Sequence, residues 1–198
     1  MDSSQTSINY DKMNYGCKHY KRFCQIRAPC CNKIFDCHHC HNESTSDGHE
    51  LSRQDVQTVI CLMCETEQPV VQKCTNCGVC MGDYFCEKCK FHDDDIAKRK
   101  QYHCDRCGIC RLGGIWNFFH CKECDACYPL SLYGKHPHVK DSMRQNCPIC
   151  QEDMFYSSEE STIMNCGHTI HSECLLEMKR NKIFKCPICK SAIDMSDM

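Results

Sequence analysis

Apolar positions along this 198-residue chain almost never recur at the three-and-four spacing of an amphipathic helix or in the strict alternation of a half-buried strand. The exception is "SECLLEMKRN", where Cys174 and Met178 share one face at i and i+4, and Lys179 and Arg180 fall near a C-terminal end. This predicts one short helix. The polar run "HNESTSDGHELSRQD" leads into "VQTVI", whose weak alternation predicts a loop entering a short strand. Elsewhere the pattern predicts short ribbons, knuckles and loops, with polar tails at residues 1–13 and 191–198.

Such a chain has little with which to build an apolar core. Leu, Ile, Val and Phe supply 34 residues, or 17%, below the roughly 20% that usually supports one. Cysteine is abundant instead, at 25 residues, and 12 histidines accompany it. The N-terminal stretch is polar, with no apolar segment to act as a signal peptide, and no run is long enough to cross a membrane. In a reducing nucleus or cytoplasm, C-x-x-C pairs mixed with histidines read as zinc thiolates rather than disulfides. Each structural zinc contributes on the order of 10 kcal/mol to folding, so the metal-free chain is expected to be largely unfolded. A net charge of −2 gives no general attraction to nucleic acid.

Three donor-rich blocks follow one another, at residues 14–80, 81–145 and 146–190. The last has the clearest spacing: Cys147 and Cys150, then Cys166 and His168, then His171 and Cys174, then Cys186 and Cys189. A C-x-x-C knuckle delivers two donors from one turn, and tetrahedral zinc needs four. The second and third pairs stand too close together for two sequential sites. Interleaving solves this, with the first and third pairs sharing one zinc and the second and fourth sharing the other.

This order and these gaps resemble a RING finger with histidine at the fourth and fifth ligand positions. The first block, "YGCKHYKRFCQIRAPCCNKIFDCHHCHNEST", resembles the CHY zinc finger, whose name-giving residues stand here as Cys17, His19 and Tyr20. The second block resembles the accompanying CTCHY module. The three in this order resemble one family of E3 ubiquitin ligases. The fold class this implies is a set of small zinc-stabilised modules, mostly irregular with short β ribbons: CHY and CTCHY zinc fingers, then a cross-brace RING with one short helix.

Counting donors gives whole zincs. The first block offers Cys17, His19, Cys30, Cys31, Cys37, Cys40, His41, His49, Cys61, Cys64, Cys74 and Cys77, enough for three. The last four form a ribbon site; the other eight are not paired by sequence, and Cys24, left over, could exchange with one of them. Adjacent Cys30 and Cys31 are expected to serve different metals, and His38 and His39 to face solvent. The second block offers Cys86, Cys89, His103, Cys104, Cys107, Cys110, His120, Cys121, Cys124, Cys127, His136 and His138, enough for three more. It carries an internal echo, "YHCDRCGIC" and "FHCKECDAC", which suggests stacked zinc turns. Where this chain has His138, relatives usually have cysteine. Cys80 and His92 are read as non-ligands. With two zincs in the RING, eight zincs are expected.

The resemblance implies that the RING docks a ubiquitin-carrying conjugating enzyme on an apolar patch, here Ile149, Met178 and Pro187, with Lys190 at the place of a basic residue that contacts enzyme and ubiquitin. No covalent intermediate forms on this chain. The CHY and CTCHY region would bind the protein substrate, transcription regulators among the candidates, and promote its ubiquitination and degradation. Many members continue into a further zinc ribbon after the RING, whereas this chain ends at Met198. The competing expectation is a zinc-dependent interaction or zinc-handling scaffold without ligase activity. "HDDDIAKRK" is read as a solvated linker, and Trp116 either packs over a zinc knuckle, the commoner fate, or belongs to a recognition patch.

Overall fold

The computed structural model describes residues 15–157 and 159–193. The tail expected at 1–13, and residues 194–198 of the second tail, lie outside these. By internal contacts the chain forms two compact units, Met1–Lys100 and Gln101–Met198. Contacts therefore divide it after Lys100, whereas the motifs divide it near residues 80 and 145.

The first unit is organised by a four-stranded antiparallel sheet. Its strands are β1 (Cys24–Arg27), β2 (Ile34–Phe35), β3 (Thr58–Cys61) and β4 (Glu67–Pro69), in the order β2-β1-β3-β4. β3 is the strand predicted from "VQTVI". In the central pair Cys24 lies opposite Cys61 and Ile26 opposite Val59. All four are buried, in one apolar cluster with Ala28, Leu51, Val56, Val70, Cys74 and Met81. A ribbon of β5 (Tyr84–Cys86) and β6 (Phe91–Asp93) belongs to this unit, with two short helices, α1 (His38–Ser44) and α2 (Ile96–Arg99).

The stretch read as a solvated linker is built in at its start, while Ile96, Ala97, Lys98 and Lys100 are exposed. His92 and Asp93 are fully buried, because the backbone of Asp94 donates to Lys21 O at 2.8 Å and Lys21 N donates back to Asp93 Oδ1 at 3.3 Å. Arg99 stands 3.4 Å from the same carboxylate, which offsets the cost of burying its charge.

The second unit has no sheet wider than two strands among its described residues. Its ribbons are β7 (Tyr102–Cys104) with β8 (Ile109–Arg111), β9 (Phe118–Cys121) with β10 (Ala126–Pro129), and β11 (Ser161–Ile163) with β12 (Thr169–His171). The predicted helix follows as α3, Ser172–Arg180. One buried cluster runs through all of this, from Cys107 and Ile109 through Tyr128 and Met143 to Met154, Ile170 and Ile193. The RING is thus packed onto the hairpins before it. Gly167 sits at φ +88°, and a Cβ there would stand 2.6 Å from Val139 Cγ2, so only glycine allows that approach.

Candidate metal centres

The C-x-x-C turns share one backbone design. After Cys61, Cys74, Cys104, Cys147 and Cys186, the amide four residues on donates to the first cysteine's carbonyl at 2.9 to 3.0 Å. That fourth residue (Glu65, Gly78, Gly108, Gln151 or Lys190) has a left-handed φ between 56° and 73°. The turn also aims amides at sulfur, as Met63 N to Cys61 Sγ at 3.4 Å and Cys107 N to Cys104 Sγ at 3.5 Å. Such donors favour the thiolate, which is the metal-binding form. Hydrogen bonds with Thr66 and with Ser191 hold Cys64 down to about 5 and Cys189 down to about 6.

In the RING the eight donors fall into two interleaved groups. His171 Nδ1 lies 3.3 Å from Cys150 Sγ, and Cys174 contacts Cys147 and Cys150. His168 Nδ1 lies 3.5 Å from Cys166 Sγ and 3.8 Å from Cys186 Sγ, and Cys166 contacts Cys189. The first pair is therefore grouped with the third and the second with the fourth. His168 stands just before short β12 and His171 at its end, and the two go to different groups.

The first unit gathers its twelve first-block donors into three fours, each with all donor atoms within 4.8 Å of one another: Cys17, His19, Cys37 and Cys40; Cys30, Cys31, His41 and His49; Cys61, Cys64, Cys74 and Cys77. One expectation is corrected here, and another in part. Cys30 and Cys31 fall in one group, because the turn before Asn32, at φ 57°, presents both thiols to helix α1, where His41 Nε2 is 3.1 Å from Cys30 Sγ. His39 is exposed as expected, whereas His38 is half-buried. His38 stacks on Tyr20 with ring centres 6.0 Å apart, and His39 Nε2 is 3.1 Å from the Tyr20 hydroxyl. Helix α1 itself was not expected; Cys37 caps it by accepting from Cys40 N at 3.3 Å. Cys40 and His41, adjacent on this helix, point to different groups.

In the second unit the two echo sequences are two hairpins of like register, with His103 opposite Cys110 and His120 opposite Cys127. The donors are handed on. The knuckle of the first hairpin, Cys104 and Cys107, is grouped with His120 and Cys127 of the second. The knuckle of the second, Cys121 and Cys124, meets the next segment: His138 Nδ1 is 3.3 Å from Cys121 and 3.6 Å from Cys124, and His136 Nε2 is 3.7 Å from Cys124. Cys110 Sγ and His103 Nδ1 are 3.9 Å apart. Cys86, at the end of β5, and Cys89, in the turn after it, are buried.

These spacings fit zinc. Tetrahedral zinc with bonds of about 2.3 Å to sulfur and about 2.0 Å to nitrogen sets its ligands roughly 3.3–3.8 Å apart. Sulfur pairs such as Cys17 with Cys37, at 3.7 Å, and Cys64 with Cys74, at 3.5 Å, match. All cysteines are free thiols. Cys24 has another environment: buried in the sheet, its thiol is pushed up to about 11 and stays protonated. Cys80 Sγ lies 3.4 Å from Gly82 O, and His92 Nε2 is bonded to Val71 O at 2.8 Å.

The residues expected to form the docking face are placed unequally. Ile149 is 38% exposed between its two flanking cysteines. Pro187 is half-buried, and Lys190 is exposed at the left-handed position of the last knuckle, its Nζ donating to Pro187 O at 2.8 Å. Met178 is only 3% exposed. The helical face it shares with Cys174 turns into the core, and Leu176 and Ile188 are exposed instead. Trp116, expected to pack, is 88% exposed. Gly113, at φ +95° against the Phe118 ring, tightens the turn that projects it.

A chain of small knuckles ending in an interleaved eight-donor module is a multi-zinc RING protein. Its sequence matches the CHY zinc finger model over residues 17–84 and the RING-type zinc-finger model over residues 147–187. It is 58% identical to E3 ubiquitin-protein ligase SRFP1 of Oryza sativa subsp. japonica, over 93% of this chain and 70% of that protein. To E3 ubiquitin-protein ligase RZFP34 of Arabidopsis thaliana it is 55% identical, over 93% of this chain and 66% of the relative. Zinc finger protein BRUTUS of Arabidopsis thaliana is 42% identical over 94% of this chain, which spans 15% of BRUTUS. The chain belongs to the family of E3 ubiquitin-protein ligases that join a CHY zinc finger to a RING.

Proposed function

We propose that this chain recruits a ubiquitin-charged conjugating enzyme to its RING and presents it to a protein substrate held by the CHY and CTCHY region. The observation that carries the reading is the RING itself: interleaved donor groups with Ile149 left exposed between two of them. Ile149, Pro187 and Lys190 form the docking face, while Met178 supports the helix from beneath. Lys190 leaves its bond to Pro187 O to reach ubiquitin. No side chain on this path forms a covalent intermediate; the RING holds the thioester conjugate so that a substrate lysine attacks it, which is catalysis by orientation.

The donors named above would hold eight zincs, three in each of the first two blocks and two in the RING. Zinc supplies cross-linking alone, since four-donor sites leave no coordination position for water or substrate. Transcription regulators in the nucleus and cytoplasm are the substrate class we assign, marked for degradation. The testing experiment is ubiquitin discharge with a panel of conjugating enzymes. Ile149→Ala should cut discharge sharply with zinc content unchanged, and Lys190→Ala should slow discharge while binding persists. If the wild type stimulates no enzyme in a broad panel, the chain is a zinc scaffold.

A further inference from the structure

Arg111, at the end of β8, belongs to neither a donor group nor the docking face. Its Nη1 donates to Phe155 O at 2.6 Å, and its guanidinium carbon lies 4.4 Å from the centre of the Phe155 ring. Nε and Nη2 are shut off from solvent and find no nitrogen or oxygen partner among the described residues, and the guanidinium faces the Cys107 thiol. A second guanidinium, Arg144, covers the same ring at 4.2 Å. It donates through Nε and Nη2 to Asp125 Oδ2 at 3.0 and 2.7 Å. The other oxygen of Asp125 lies 3.6 Å from His120 Nε2, and His120 Nδ1 lies 3.3 Å from Cys107 Sγ. Phe155, a RING residue 2% exposed, is thus reached from one donor group by two routes.

We infer that Arg111 and Arg144 are positioning residues that clamp Phe155 and couple the RING loop around it to the metal held by Cys104, Cys107, His120 and Cys127. The chemistry explains the orphaned donors. Buried guanidinium N–H groups are costly unless a negative charge faces them. Zinc bound by three thiolates and a neutral imidazole carries one net negative charge, and Cys107 is four residues from Arg111 on the same hairpin. Asp125 stands behind His120, the place from which outer-shell carboxylates orient metal-bound histidines. Coupling of this kind is reciprocal: the metal orders the loop, and the clamp retains the metal.

The test uses the full zinc-loaded chain, with zinc release to a chromogenic chelator and hydrogen exchange of residues 151–157 as readouts. Neither involves ubiquitin transfer, so the inference stands or falls apart from the ligase reading. Phe155→Leu, which removes no donor, should keep its full zinc content yet release one equivalent about tenfold faster. Arg111→Leu should do the same and lose protection over 151–157. Arg111→Lys, which keeps the charge but not the planar fork, should release zinc at near the wild-type rate while the loop stays unprotected. Cys107→Ser should lose one zinc and the same loop protection. Wild-type release from Phe155→Leu, or wild-type loop protection in Cys107→Ser, would overturn the coupling. Release from Arg111→Lys as fast as from Arg111→Leu would overturn the charge assignment.

Discussion

The two units bury their apolar surface by different means. The first has a four-stranded sheet whose central strands press Ile26 and Val59 into a cluster with Leu51, Val56 and Val70. In the second, two-stranded ribbons converge on a cluster in which Cys107, Cys121, Cys124, Cys147 and Cys186 stand beside four methionines. All five are also candidate metal donors. A residue that packs and ligates at once cannot do the first without the second, since the geometry that buries it is set by the ion. The second unit is therefore the more metal-dependent, and its parts the more tightly coupled.

Complete removal of zinc breaks this contrast most severely. With each site contributing on the order of 10 kcal/mol against a typical net stability of roughly 5–15 kcal/mol, both units should lose fixed structure when a strong chelator is added at neutral pH. Exchange protection should vanish everywhere in residues 101–193, whereas amides of β1 and β3 should retain a residue of it. Equal loss in both units would mean that the sheet contributes nothing without metal.

Single-donor substitution sharpens the same contrast. Cys74→Ser removes a donor from a group confined to one ribbon site of the first unit. Its damage should stay local, with β1 amides still protected. Cys166→Ser strikes an interleaved group, and because its partner His168 is three positions before His171 of the other group, both RING groups should loosen. Zinc loss near one equivalent for Cys74→Ser and near two for Cys166→Ser is the expected result, read by elemental analysis.

How far the sequence foretold this arrangement depended on how the donors are spaced. In the RING, knuckle geometry and a gap too short for sequential sites dictated the interleaving, and α3 followed from Cys174 and Met178. The eight donors of residues 17–49 could not be paired because one of their carriers is a helix with no apolar periodicity. Cys40 and His41 diverge only because Cys37 sulfur starts a helix there. The exposure of Met178 was misjudged for a plain reason. Periodicity says which residues share a face but not which way the face turns, and Met178 shares its face with a buried-core ligand. The Phe155 clamp was invisible because Arg111 and Phe155 are 44 positions apart and carry no donor signal.

A smaller effect is expected where the RING meets the preceding hairpins. Gly167→Ala places a Cβ 2.6 Å from Val139 at a left-handed φ. Strain and overlap together should cost about 2–3 kcal/mol, visible as a lower denaturation midpoint of the second unit with zinc content intact. An unchanged midpoint would mean that the RING and the 137–139 segment do not depend on close packing.

The smallest effects belong to the two thiols outside the donor groups, and they differ from each other. Cys24 is 1% exposed in the sheet and its thiol is kept protonated by burial, so it behaves as a small apolar side chain. Cys24→Ser puts a hydroxyl there and should cost about 1–2 kcal/mol, all of it in the first unit, with no zinc lost. Cys80 is half-buried, and its sulfur faces the Gly82 carbonyl at 3.4 Å. Serine donates to that carbonyl better than a thiol does, so Cys80→Ser should leave both stability and zinc content within error of the wild type. Elemental analysis and thermal denaturation of the two variants decide the matter together. Loss of a zinc equivalent from Cys24→Ser would make it a ligand and undo the grouping of the first unit, whereas the same loss from Cys80→Ser would leave that grouping standing and require a donor set that includes Cys80.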